Sequence, residues 1–486
     1  MSLRARVLSG FRWTASVRLI SQLITWAITI VVIRLLSPAD YGLLAMATVF
    51  VALLSMFSDL GLGQALVQSA EVSDATLRRV FAAVIVIHAV LAVVLALAAP
   101  LIAAFFGEPA VTPVVQVLSV QFVIAAFGVI PDALLQRRME FRRRSLVELT
   151  AAVAGALSTL ALALLGKGVW ALVAGSVATQ LIRVAGLNMA APSVPRPEFS
   201  MLGVRAYFRF GGHITLTQLL WFVTTQADVF IAGRWLGKEA VGVYSTAMHL
   251  ASLPSQRISG LINQLAFPAF SRMQDDRRRV GANTVLGMRI LALIGFPVFW
   301  GISSIAPEIV GVILGAKWLA AIVPLQLVSI VMPIRLLAYF VPTAVQGLGR
   351  SDVLLGNAIA TAGIMLVAFP VGVQWGLLGL SLAWVVGAPL VFAISMSRSL
   401  PVLGKSWSEL VAALAPSAGA GCLMYFAVAL ARELFAAQGA SLLAILICVG
   451  VVSYSTTTWF LNRHGCLEAL HLVRSLVAFR ASETST

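Results

Sequence analysis

Long apolar runs, separated by short polar or Gly/Pro-containing breaks, fill most of the 486-residue sequence. They fall near residues 13–35, 41–62, 78–105, 112–134, 146–165 and 168–189, and again near 207–233, 240–262, 285–306, 321–347, 353–373 and 376–397. A final pair follows near 408–431 and 440–461. Runs of about 20 apolar residues suit helices that cross a bilayer, whereas a closed barrel needs short alternating strands. The pattern predicts an all-α integral membrane protein of about 14 transmembrane helices.

The chain also echoes itself. Arg34-Leu35-Leu36 with Gly42 and Ala47 returns about 200 residues later as Arg234-Trp235-Leu236 with Gly242 and Ala247. Gln116-Val117-Leu118-Ser119-Val120 and Gln136 return as Gln326-Leu327-Val328-Ser329-Ile330 and Gln346. Gly168-Val169-Trp170 is matched by Gly376-Leu377-Leu378 at the start of the sixth run of each half. An even number of spans per half gives both halves the same orientation, so they are expected as parallel repeats. The expected organisation is a six-helix lobe over 1–190, a Pro-containing cytoplasmic linker over 191–206, and a second six-helix lobe over 207–400. Two further helices over 401–462 and a cytoplasmic tail over 463–486 complete it.

Composition agrees: 60% of residues are hydrophobic and 11% charged, with a mean hydropathy of +0.97. The net charge of +15 gathers in Arg78-Arg79, Arg137-Arg138, Arg142-Arg143-Arg144 and Arg277-Arg278-Arg279, on one side of the predicted membrane. That is the positive-inside pattern and places both termini in the cytoplasm. No basic stretch sits in a polar domain large enough to fold, which argues against a nucleic-acid partner. The amino-terminal run is too long for a secretory signal and reads as the first span. Cys422, Cys448 and Cys466 have no metal or disulfide spacing. The outer loops, each roughly 5 to 15 residues, leave no room for a catalytic domain. With no phosphate-binding glycine loop and no nucleophile constellation, an enzyme is not expected, nor is a cofactor.

Several motifs resemble a known group. Arg34-Leu35-Leu36-Ser37-Pro38-Ala39-Asp40-Tyr41-Gly42, Asp59-Leu60-Gly61-Leu62-Gly63-Gln64-Ala65-Leu66-Val67-Gln68 and Phe267-Pro268-Ala269-Phe270-Ser271-Arg272 resemble the polysaccharide-export branch of the multidrug/oligosaccharidyl-lipid/polysaccharide (MOP) superfamily. Gly315-Ala316-Lys317-Trp318 and Gln346-Gly347-Leu348-Gly349-Arg350 extend the likeness, which is strongest to Wzx-type flippases of the colanic-acid and exopolysaccharide kind. The resemblance implies two MATE-like lobes in a bacterial inner membrane. It also implies alternating access, and movement of undecaprenyl-diphosphate-linked oligosaccharide to the periplasmic leaflet for exopolysaccharide or O-antigen synthesis. Membrane lipids, a polysaccharide polymerase and chain-length or export proteins are the candidate partners. Two other readings stand beside it: a cation-coupled small-molecule or multidrug exporter of the same fold, and a non-transporting scaffold of an export complex.

A lipid diphosphate needs fixed cations in a wet cavity. Arg18, Arg257 and Arg335 lie inside predicted spans, where each costs roughly 2.5 to 3.5 kcal/mol and should face the interior with a partner. Arginine grips phosphate bidentately and keeps its proton; snorkelling or a buried ion pair is the alternative role. Gln22, Gln218, Asn263 and Gln264 offer amide donors and acceptors to sugar hydroxyls, or join helices. Asp228 and Asp59 are candidate coupling-ion residues, Asp59 reading equally well as part of a helix-end turn. His88, His213 and His249 are lone intramembrane histidines, a type that more often packs than relays protons.

Overall fold

The structure is a computed structural model. It describes residues 22, 24–59, 63, 66–67, 73–191, 196–199, 205–273, 276–463 and 465; the side chains at 59, 205–221, 223–224, 259–269 and 271–272 are not described. Every regular element among the described residues is helical. In chain order these are α1 (Ile24–Leu35), α2 (Pro38–Asp59), α3 (Asp74–Phe106), α4 (Val111–Arg137), α5 (Phe141–Leu164), α6 (Val169–Ala190), α7 (205–236) and α8 (238–272). There follow α9 (Arg277–Ser304), α10 (Ile322–Gly347), α11 (Ser351–Gly372), α12 (Gly376–Leu403), α13 (Trp407–Leu434) and α14 (Gly439–Leu461). Ten stretches of described residues are long and apolar enough to cross a membrane, one of them holding both α11 and α12. This is a multi-pass membrane protein.

The chain forms two compact units, residues 1–245 and 246–486. In the first, α3 pairs with α4, α5 with α6, and α4 with both α2 and α6. Helix α3 shows how such a helix is apolar all round. Val80, Val84, Leu95, Ala99 and Ile102 are buried, while Val86, Val90, Val93, Leu97 and Leu101 stand exposed, the last two by 74% and 73%. In water that outer stripe would drive aggregation; in a bilayer it meets lipid tails.

Helix starts are written locally. At α2, the Ser37 N–H donates to Asp40 Oδ2 (2.9 Å) while the Asp40 N–H donates to Ser37 Oγ (3.3 Å), a capping box with Pro38 at the first helical position. Ser406 and Glu409 form the same box at α13. Helices α7 and α8 join through the single residue Gly237, at φ 79° and ψ 177°, a conformation open only to glycine.

Small residues let helices meet backbone to backbone. A methyl added at Gly42 of α2 would overlap the Lys238 carbonyl oxygen at the start of α8, and one added at Gly242 would overlap the Pro38 carbonyl. The contact is reciprocal: residues 38 and 42 meet residues 242 and 238, the same two positions displaced by 200. The echo in the sequence is thus a two-fold contact in space. Gly155 and Gly175 form a second reciprocal crossing, against Thr179 and Thr159, between α5 and α6.

Prolines inside helices leave a carbonyl four residues earlier without its donor, which is costly in hydrocarbon. Pro131 of α4 frees the Phe127 carbonyl, and Asn188 Nδ2 of α6 donates to it at 2.9 Å. In the second unit Pro297 of α9 frees the Leu293 carbonyl, and the Tyr454 hydroxyl of α14 donates to it, also at 2.9 Å. There α9 packs on α10 and α13, α12 on α10 and α11, and α13 on α14. Arg432 near the end of α13 forks onto Glu308 (2.7 and 2.8 Å), joining α13 to the irregular segment between α9 and α10.

Candidate functional site

In the second unit, Arg335 lies half-buried near the middle of α10. Its guanidinium carbon stands 3.8 Å from the ring centroid of Trp384 on α12, and Nη1 lies 3.5 Å from the sulfur of Met248 on α8. Among the described residues no carboxylate forms an ion pair with it. Stacking occupies the flat face of the guanidinium, and of its N–H edge Nη1 is turned to the Met248 sulfur. Trp384 is itself packed edge-on against Phe369 and buried, so the platform is rigid.

Arg257 is exposed on α8, nine residues beyond Met248 and hence roughly 13 Å further along the axis. Helix α8 therefore carries both Arg257 and a contact to Arg335. Arg18 lies outside the described residues, as do the side chains of Gln218, Asn263, Gln264 and Asp59. Gln22 is half-buried just before α1.

In the first unit, Asp228 of α7 is 2% exposed. One carboxylate oxygen accepts from the Tyr244 hydroxyl of α8 at 2.7 Å, the other from the Val229 N–H at 2.8 Å. Tyr244 is fully buried. The hairpin through Gly237 is what brings residues 228 and 244 together, which is why the partner cannot be found from helical spacing alone.

Sequence reasoning passes over a third cluster. Asp132 of α4 is held by Arg144 Nε of α5 (2.7 Å), by Gln136 Nε2 (3.1 Å) and more loosely by Arg183 of α6 (3.6 Å). Arg144 in turn reaches Glu148 at 3.6 Å. The signal was present, since Asp132 and Arg183 both stand inside predicted spans and charges there demand partners.

Known proteins place this architecture. The chain is 25% identical over 418 residues to the lipopolysaccharide biosynthesis protein WzxC of Escherichia coli K12, covering 85% of each chain. It is 30% identical over 335 residues, 68% of each chain, to the succinoglycan biosynthesis transport protein ExoT of Rhizobium meliloti. Its fold matches the lipid II flippase MurJ in an inward closed conformation with a TM-score of 0.74, at 12% identity, over 93% of this chain and 99% of that one. A polysaccharide biosynthesis protein family matches residues 31–323, and with that span exceeding half its length, the chain belongs to the polysaccharide biosynthesis protein family.

Proposed function

We propose that the protein is a flippase that carries an undecaprenyl-diphosphate-linked oligosaccharide from the cytoplasmic to the periplasmic leaflet of a bacterial inner membrane. The observation that carries this reading is Arg335: a permanent cation in the middle of a membrane helix, held flat on Trp384 and without an ion pair to any carboxylate among the described residues. A diphosphate drawn into a low-dielectric path needs such a group, and an exporter of cationic drugs would be repelled by it. The relatives named for lipopolysaccharide biosynthesis and succinoglycan transport support the same substrate class.

In this reading α1 to α14 all cross the membrane, as two six-helix lobes of like orientation over 1–190 and 207–400 plus α13 and α14, with both termini cytoplasmic. Arg257 and Arg18 assist Arg335 at the diphosphate, and Gln22, Gln218, Asn263 and Gln264 meet sugar hydroxyls. Asp228, buried against Tyr244, is the candidate for the coupling ion, with Asp59 second.

The test is complementation of a strain lacking its own flippase, with polymer output measured against equal amounts of membrane-inserted protein. Arg335→Ala should lower output about a hundredfold, the loss of a charge-assisted bidentate contact of about 3 kcal/mol. Arg335→Lys should recover part of it, since a point charge replaces the fork. Full output from both Arg335→Ala and Arg257→Ala would refute the assignment of these arginines.

A further inference from the structure

In the first unit an apolar groove of about 310 Å³ opens between α2, α3 and α7. Phe50 and Leu54 of α2, Val94, Leu101 and Phe105 of α3, and Phe230 of α7 line it, and no polar side chain does so among the described residues. Val94 and Leu101 stand on the exposed side of α3 with Val90 and Leu97, so the groove opens onto the surface that hydrocarbon wets. Buried water needs polar partners, which this lining does not offer. The occupant is therefore drawn from the bilayer.

The groove has the length of one leaflet. From residue 94 to residue 105 of α3 the helix axis rises about 17 Å, against roughly 30 Å for a whole hydrocarbon core. At the roughly 30 Å³ that a water-sized group fills, the volume holds on the order of ten methylenes. Both measures fit one acyl chain of a phospholipid. A polyprenyl chain is several times longer and would leave most of its length outside.

One end is closed and carries a charge. Phe230 stacks at a tilt on Phe105, with 4.4 Å between ring centroids, and stands 5.8 Å from Phe50. Three helices thus meet ring to ring. Just beyond, a methyl added at Gly233 would strike the Phe106 ring, so α7 lies tight on α3 and the groove goes no further. There Arg234 is exposed, its guanidinium carbon 6.0 Å from the centroid of the Phe105 ring. Trp235 beside it is 63% exposed, and tryptophan is a residue type that settles at the level of lipid headgroups. Of the other charges on this turn, Lys238 is paired with Glu108 at 3.0 Å and Glu239 is exposed. Among the described residues no carboxylate forms an ion pair with Arg234. An arginine in that position can fork onto phosphate oxygens and keeps its charge at any working pH.

We propose that the groove is a binding site for a membrane phospholipid with a net negative headgroup, one acyl chain lying along α3 and the phosphate against Arg234. The chain fills the space between α2, α3 and α7 and ties α7 to the other two at the cluster of Phe50, Phe105 and Phe230. The site lies within the first unit and stands whether or not the protein is a flippase.

The test uses the full-length protein in phosphatidylcholine nanodiscs that contain a trace of phosphatidylglycerol with a photoreactive diazirine midway along one acyl chain. After illumination, mass spectrometry should find the label on residues 94–105 of α3, and excess unlabelled phosphatidylglycerol should remove it. Arg234→Gln, a change at an exposed position, should weaken the labelling about tenfold, the size of one charge-assisted contact. Ala98→Trp, which fills the groove from α3, should abolish it, while background label at the exposed Val86 and Val90 stays unchanged. Equal labelling by a phosphatidylcholine probe of the same chain, or no loss in Arg234→Gln, would reduce the groove to ordinary solvation by lipid and overturn the site. Displacement by undecaprenyl phosphate at concentrations where phosphatidylglycerol has no effect would overturn it as well, by giving the groove to a polyprenyl chain.

Discussion

The reciprocal crossing of α2 and α8 can be tested by adding one carbon at a time. Gly42→Ala places a methyl on the Lys238 carbonyl oxygen and Gly242→Ala places one on the Pro38 carbonyl. Neither neighbour is the end of a flexible side chain; both are backbone, so the helices must separate. Restoring ordinary carbon–oxygen contact calls for a displacement of roughly 1.5 Å, and a gap of 0.5 to 1 Å already forfeits a quarter to a half of each dispersion contact along the seam. With the overpacking cost of core positions as a guide, each single substitution should destabilise the protein by about 2 kcal/mol. The reciprocity gives a sharper expectation. Once one methyl has spread the helices, the space for the second is partly made, so the double variant should cost about 3 kcal/mol rather than the additive 4. Thermal unfolding in detergent, followed by loss of the monodisperse chromatographic peak, measures all four corners of the cycle. Two silent single variants, or strictly additive losses, would refute the claim that both glycines serve one contact.

Tyr454→Phe removes the donor to the carbonyl freed by Pro297 and should cost about 1 to 3 kcal/mol; restoring the carbonyl's own donor with Pro297→Ala in the same chain should recover much of it, read as a melting shift. Arg432→Met leaves Glu308 without its fork and should cost about 3 kcal/mol, whereas replacing both residues by apolar ones should approach wild-type stability in the same assay. Tyr244→Phe takes the hydroxyl donor from the buried Asp228 carboxylate; a melting temperature unchanged from wild type would show that the bond contributes nothing, against an expected loss of about 2 kcal/mol.

Where the hydropathy alternates on the scale of a bilayer, the sequence alone was enough: the predicted runs near 112–134 and 168–189 became α4 and α6 with small shifts at their ends. The joint between α7 and α8 was less visible. A loop is expected near 234–239, and instead one glycine turns the chain, because nothing in hydropathy reports a single backbone angle. The segment 306–321 likewise winds as short α, π and 3₁₀ turns, which have no apolar period of their own. The sites divide the same way. Asp228 and Arg335 stand out as charges within apolar runs, but their partners Tyr244 and Trp384 are an ordinary tyrosine and tryptophan until the helices are packed.

The two carbonyls freed by proline act as keys that fix sliding position. Asn188 can satisfy Phe127, and Tyr454 can satisfy Leu293, at only one register of α6 against α4 and of α14 against α9. A slip of one helical turn, about 5.4 Å, would leave a bare carbonyl in hydrocarbon at a cost of several kcal/mol. These helix pairs are therefore locked against shear and should travel as rigid blocks. Any change of shape during a working cycle must be taken up where no such key is set, as at the lone glycine between α7 and α8.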